Sequence, residues 1–330
     1  MKSGSPSLSR RSLLAAGFYA ASAPRLLAAR GDPGRPIRIA ATPTAILVWL
    51  ADAVGLFREA GVDVSVQRYT SGTLTAPAVL AGEAELGTSS EYAFISKAFE
   101  RSDLRVLASI SQSRTISLFG NADRGLDQQS NLKGKILAVV PNSFADFVLE
   151  RLLLTNDVRP AEVLKLRPPE IVSAAISETI DGGVVWDPYL REISIELGDR
   201  FVELSNPAEH EYHFLLHGMS AWFAENEGPA RAVLRGLLAA LRMAEDSPEA
   251  ARRILAQRLD IDLEIVEYLW PKHTLRLGLS QGLLRLMEDE AWFRVERGLS
   301  QGAVPNFLQF LHADPLLAEA PETVSVIGLR

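Results

Sequence analysis

Two blocks of strand, turn and helix, separated by a polar stretch, constrain this chain more than any other feature. In the first block Ile37-Arg38-Ile39-Ala40 reads as a short strand and Thr42-Pro43-Thr44 as a turn. Ile46, Leu50, Ala53, Val54 and Phe57 then recur at helical spacing, with Thr44 placed to cap the helix and Gly61 to end it in a left-handed conformation. The stretch from Val62 to Tyr69 alternates as a second strand, and the stretch from Leu74 to Ala81 reads as a helix stopped by Gly82. Glu85-Leu86-Gly87 is a third strand that gives way to Thr88-Ser89-Ser90, with a helix from Glu91. A fourth strand runs from Leu104 to Ile110, and a crossing strand from Thr115 to Gly120 leads into the polar stretch from Asn121 to Asn131.

The second block repeats the plan. Strand character from Ile136 to Val140 is followed by the turn Pro141-Asn142-Ser143 and a helix from Phe144 to Leu154. A strand from Val163 is halted by Pro168-Pro169, a helix follows from Ile171 to Ile180, and Gly183-Val184-Val185-Trp186 is a strand. Asp187-Pro188 then opens a helix, with Asp as cap and Pro at the first helical position. The run from His213 to His217 reads as a returning strand, and everything beyond it is expected to be helical. Such alternation with short links predicts an α/β fold of parallel sheets covered on both faces. The path leaves a first lobe, crosses, and crosses back, which implies a hinge and a cleft that opens and closes. The expected organisation is a signal peptide over 1–30, lobe 1 from 36–117 and 218–330, and lobe 2 from 118–217.

The N-terminal thirty residues differ from the rest. Lys2, Arg10 and Arg11 precede a short, weakly apolar run from Leu13 to Ala23, the layout of an export signal and too short for a bilayer span of roughly 20 helical residues. Ser9-Arg10-Arg11-Ser12-Leu13-Leu14 looks like a twin-arginine signal. The chain is therefore expected to be exported to the periplasm and soluble there. A formal charge of −7 over 330 residues argues against nucleic acid as a partner, because phosphate binding needs clustered Lys and Arg. There is no cysteine, which excludes thiolate metal sites and cysteine nucleophiles. His210, His213, His217, His273 and His312 have no metal-pair spacing and are read as structural, so no metal and no cofactor are expected.

Several segments resemble a known family. Gly55-Leu56-Phe57-Arg58-Glu59-Ala60-Gly61-Val62-Asp63-Val64, Leu80-Ala81-Gly82-Glu83-Ala84-Glu85-Leu86-Gly87, Leu132-Lys133-Gly134-Lys135 and Trp186-Asp187-Pro188-Tyr189 are similar, in order and spacing, to motifs of the nitrate/sulfonate/taurine-type solute-binding proteins of ABC importers, the NMT1/THI5-like group. The match spans roughly residues 36 to 320. Two departures stand out: Gly72-Thr73 replaces a frequent Gly-Gly, and Glu85 replaces the usual Asp. The resemblance implies a type II periplasmic-binding-protein fold, two doubly wound α/β lobes joined by a two-strand hinge, with a helical C-terminal extension. It also implies a monomer that holds a small ligand between the lobes and delivers it to an ABC permease in the inner membrane. Enzymes on the same fold, acting on sulfinates or pyrimidine precursors, are the rival class. Their cysteine chemistry has no counterpart in this chain. A ligand sensor is a third reading.

Open α/β sheets bind ligands outside the carboxyl ends of their strands. The segments there supply the candidates: Thr42 and Thr44; Ser71, Gly72 and Thr73; Ser89, Ser90 and Glu91; Asn142, Ser143 and Phe144; Trp186 and Asp187. Several helix starts converging on one gap would suit a sulfonate, nitrate or carboxylate, since unpaired N–H groups and the helix dipole favour anions. The plainer alternative for each hydroxyl is a helix cap. Trp186 is either a platform for the ligand's organic part or lobe core, and Asp187 either pairs with a ligand ammonium or caps its helix. Glu91 divides between dipole complement and ligand contact, and Phe144 is placed to close over the ligand. Arg114 is a candidate anion partner or one half of a surface salt bridge.

Overall fold

The structure, a computed structural model, describes residues 35–329; the expected signal segment lies outside them. Eleven strands are present among the described residues: β1 Ile37–Ala41, β2 Val64–Arg68, β3 Leu86–Ser90, β4 Leu104–Ser113, β5 Ile116–Asn121, β6 Ile136–Val139, β7 Glu162–Lys165, β8 Gly182–Trp186, β9 Phe201–Glu203, β10 Tyr212–Met219 and β11 His273–Gly278. They form two sheets, ordered β11-β4-β10-β3-β1-β2 and β7-β6-β8-β5-β9.

The two sheets share one plan. In the first, β2, β1 and β3 run parallel, and β10 lies antiparallel between β3 and β4. In the second, β7, β6 and β8 run parallel, and β5 lies antiparallel between β8 and β9. These two antiparallel strands enter from the other half: β5 follows directly on β4, and β10 follows β9, whereas β11, antiparallel to β4 at the sheet edge, comes from the C-terminal helices. The parallel core of each sheet is as expected, and the crossing strand β5 and the returning strand β10 join it antiparallel. Two crossings bring the chain in from the opposite direction, and direction is what decides the ladder type.

Sheet membership changes between Ser113 and Ile116 and again between Glu203 and Tyr212. The expected boundaries at 117/118 and 217/218 therefore fall inside β5 and β10. Both strands are buried almost throughout, which suits strands covered on two faces.

Local chemistry accounts for several departures from the expected elements. The first helix stops at Ala53 and a separate turn, Leu56–Glu59, follows, because Gly55 sits at φ 79 and breaks the run; Gly61, at φ 90, ends the second as anticipated. Thr44 caps nothing: the N-cap is Ala45, with no side-chain bond. Pro168-Pro169 start the helix Pro168–Ile176 instead of standing before it, since the first turn needs no N–H donors there. Asp187 makes no N-cap either, the cap position being Pro188. Thr88-Ser89-Ser90 belong to β3 itself, which pairing with Phe214, Leu215 and Leu216 of β10 extends. β9 and β11 were unforeseen strands. No helix among the described residues is long and apolar enough to cross a membrane.

Candidate functional site

The carboxyl ends of β1, β3, β6 and β8 face one another across the gap between the sheets. A cleft of about 380 Å³ there is lined by Thr42, Thr44, Ser71, Gly72, Thr73, Ser90, Ser143, Phe144 and Trp186, together with Ala93, Tyr212 and Phe214. Nine of the fourteen candidate residues named from the sequence are thus brought to one wall-to-wall cavity. None of its lining side chains is charged.

The hydroxyls fall into two groups. Ser143 is fully employed by its own helix: it accepts from Asp146 N–H at 3.4 Å and donates to Val140 C=O at 2.7 Å. Ser90 accepts from Ala93 N–H at 3.2 Å, and among the described residues no acceptor takes its own proton. Thr42 and Thr44 share a hydroxyl–hydroxyl bond of 2.7 Å, and Ser71 and Thr73 one of 2.9 Å. Each such pair holds two protons and uses one, so each has a donor left over. Ser90, the Thr42–Thr44 pair and the Ser71–Thr73 pair together present three hydroxyl donors to the cavity. Gly72 makes the close approach possible, since a Cβ there would lie 2.9 Å from the Ser89 Cα in β3.

The remaining candidates lie elsewhere. Ser89 is buried in β3, behind the wall. Glu91 is fully buried and accepts from His213 N–H at 3.1 Å; burial pushes its carboxyl up to about 8 despite backbone donors that oppose the shift. Glu290, equally buried, is raised well above the usual carboxylate range for the same reason and because Glu91 is near. Glu91 therefore stands behind the cavity as a protonated group at neutral pH, not as a ligand contact. Asn142 is exposed at φ 57, a conformation asparagine tolerates, and its Oδ1 accepts from the Nη2 of buried Arg294 at 3.0 Å. Of the two readings of Arg114 the structure shows the salt bridge: its guanidinium lies 3.7 Å from Glu211, both side chains two-fifths exposed. Asp187 is buried; its Oδ2 accepts from Lys272 Nζ at 2.6 Å, while its Oδ1 has no hydrogen-bond partner among the described residues.

Three contacts that the sequence did not announce complete the site. Tyr212 and Phe214 reach the cavity from β10, because the register pairs Phe214 with Ser90. The Tyr212 hydroxyl bonds to Thr115 Oγ1 at 2.9 Å, within the crossing segments, and its ring packs 5.1 Å from Phe144. Arg294, on the helix Gln281–Glu296, holds the turn at Asn142 in the second half. Trp186 ends β8 half-buried and meets Tyr189 edge to face at 6.4 Å. No group of His, Asp or Glu among the described residues is arranged to hold a metal ion.

Comparison with known proteins agrees with this architecture. The Xanthomonas axonopodis pv. citri alkanesulfonate-binding protein SsuA, solved bound to MOPS, superposes with a TM-score of 0.72 at 18% identity, over 84% of this chain and 97% of that one. The Escherichia coli periplasmic aliphatic sulphonate binding protein SsuA gives 0.69 at 18% identity, over 83% and 91%. The desulfurization enzyme DSZB gives 0.66 at 13% identity, over 87% and 99%. The fold is therefore that of the periplasmic binding proteins, as the motifs implied. A Brucella abortus (strain 2308) protein, provisionally named a binding protein, is 26% identical over 263 residues, which is 77% of this chain and 80% of that one. The family profile described as NMT1/THI5 like matches residues 42–251, well over half of the sequence. The chain belongs to the NMT1/THI5-like family.

Proposed function

We propose that this chain is an exported solute-binding protein that takes a small anion between its two lobes and delivers it to an ABC permease in the inner membrane. The carrying observation is the inner cleft itself, where spare hydroxyl donors of the first half face the helix start at Ser143 and Phe144 of the second without a charged side chain in the lining. A sulfonate or carboxylate offers only acceptors, and the site offers spare donors. Burial raises the Glu91 carboxyl to about 8, with Glu290 raised beside it, which works against negative charge near the cleft. Ligand contacts to both halves would favour the closed arrangement, and a permease would read that shape. The protein acts as a periplasmic monomer on this reading.

Isothermal titration of the purified protein with methanesulfonate, acetate and nitrate tests the proposal. Saturable one-to-one binding of at least one anion is expected; no heat of binding across the set at millimolar concentration would overturn it. The likeness to DSZB supports a second reading, an enzyme on the same fold. The chain has no cysteine for a covalent step, and no histidine lines the inner cleft to activate a hydroxyl. Recovery of bound ligand unchanged in mass after long incubation separates the two.

A further inference from the structure

The helix Gln281–Glu296 belongs to the first half and meets the second along one edge. Phe293 packs edge to face on Phe147 at 5.0 Å, Arg297, just past the helix end, lies 3.3 Å from Glu150, and between them Arg294 reaches Asn142. The last contact differs from the other two. Arg294 is 3% exposed, and its guanidinium is only partly spent. Its Nε donates to Ser300 Oγ at 3.0 Å and its Nη2 to Asn142 Oδ1 at 3.0 Å and Leu299 C=O at 3.5 Å, while Nη1 has no partner among the described residues. One turn back on the same helix stands Glu290, 1% exposed, with neither carboxyl oxygen bonded among the described residues. Burial and the nearness of Glu91 hold that carboxyl well above the ordinary carboxylate range, against the charges of Arg151 and Arg294.

An acid and an arginine four residues apart on a helix are natural partners, with the acid on the N-terminal side as here. Both are buried, where an unmade bond costs most, yet Arg294 forgoes the carboxyl and spends Nη2 on a neutral amide in the other half. That amide sits at a consequential place. Asn142 stands at φ 57 with its N–H given to Asp146 Oδ2 at 2.9 Å, and the next two residues, Ser143 and Phe144, line the inner cleft. Resting on the reading above that a ligand draws the halves together, we infer that Arg294 is the positioning residue of closure, seating the Asn142 turn over the cleft while the halves are together and passing to Glu290 when they part. One arginine thus has a partner in either state. The amide favours closure and the carboxylate favours opening, and ligand affinity follows the balance between them.

The chain has no cysteine, so Ile195→Cys and Ile327→Cys, at exposed positions of the second and first halves, give one spin-label pair that reports their separation. In the ligand-free protein Asn142→Gly, which keeps the left-handed backbone and removes the amide, is expected to raise the ratio of long to short separations about fivefold, the net worth of one hydrogen bond. Glu290→Gln, which keeps the shape and weakens the alternative partner, is expected to lower that ratio by about the same factor. In an Arg294→Met background neither change is expected to move the ratio by more than about twofold. A merely structural contact would loosen in both single variants. Both moving toward long separations, or either leaving the ratio unchanged, overturns the inference. Methanesulfonate added to the same labelled chains is expected to shorten the separations. If it leaves them unchanged while the two variants move in opposite directions, the anion reading falls and the exchange stands.

Discussion

Lys272 Nζ donates to Asp187 Oδ2 at 2.6 Å, so a lysine at the head of β11 in the first sheet grips a carboxylate at the end of β8 in the second. Asp187 is wholly buried and Lys272 half-buried. Burial pushes the Asp187 carboxyl up, against the bond and charge of Lys272. Burial also works to lower Lys272, but the bond and charge of Asp187 outweigh it and hold the ammonium above its ordinary value. The short contact decides in favour of a charged pair at neutral pH. Removing only the cation strands a buried carboxylate, which is the costly way to break such a pair. Lys272→Met is expected to lower stability by about 3 kcal/mol in urea unfolding and to enlarge the ligand-free molecule in small-angle scattering. An unchanged midpoint and radius would show that the pair does not tie the halves together.

The two groups of hydroxyls should separate in measurement. The Thr44 side chain caps no helix and, among the described residues, bonds only to Thr42, so Thr44→Val is expected to leave stability within about 0.5 kcal/mol and to weaken anion binding about tenfold. Ser143 spends both roles on its own helix, so Ser143→Ala is expected to cost about 1 kcal/mol of stability with affinity nearly unchanged. Reversal of this pattern in parallel calorimetry and urea titrations would remove the donor assignment.

Gly72 lies against the backbone of β3, where a methyl group would meet Ser89 Cα at 2.9 Å and Ser89 Cβ at 3.1 Å. A strand carbon in mid-sheet has little room to retreat. Gly72→Ala is expected to destabilise by about 1–3 kcal/mol and to move Thr73 away from the cavity, lowering affinity. Wild-type melting and binding in this variant would mean that the segment 71–74 yields freely.

Stability should peak near pH 6.5. His213 and His273 are held down to about 4 and His217 to about 3, in each case chiefly by burial, from an ordinary 6.5. A lowered histidine contributes stability above pH 6.5 that is lost as pH falls toward its folded value. Glu91, raised from 4.5 to about 8, has the opposite sign: its contribution is whole below 4.5 and declines as pH rises through 8. Between 6.5 and 8 only the carboxyl side operates. Glu91→Gln, which keeps an oxygen for His213 N–H, is expected to flatten that alkaline limb and spare the acid one. Urea midpoints at half-unit pH steps check it, and an alkaline limb unchanged in the variant would count against the buried-carboxyl account.

Residue patterns announced the sheet-forming segments wherever a strand is buried on two faces, as in β3, β4 and β8. They did not announce β11, in which Thr274 and Arg276 point outward and only pairing with β4 makes a strand of the run. β9 has three residues, too few for any period to register. The cleft hydroxyls were legible because strand ends in such folds are where side chains meet a ligand. Tyr212 and Phe214 were not, since their place depends on antiparallel register with β3, a long-range fact. Between the two readings of Arg114 the sequence could not choose, because a long-range bond decides: its backbone N–H goes to Lys272 C=O at 2.9 Å, and its side chain lies by Glu211.

The exchange of β5 and β10 between halves has a bearing on synthesis. Once residue 203 has left the ribosome, all five strands of the second sheet exist, but only four of the six in the first. The earlier-made half must therefore wait, with β3 and β4 lacking the neighbour that separates them, while the later-made half completes itself. Maturation in this molecule runs from the inside of the polypeptide outward, and a nascent chain arrested before residue 212 would carry one finished lobe and one open sheet.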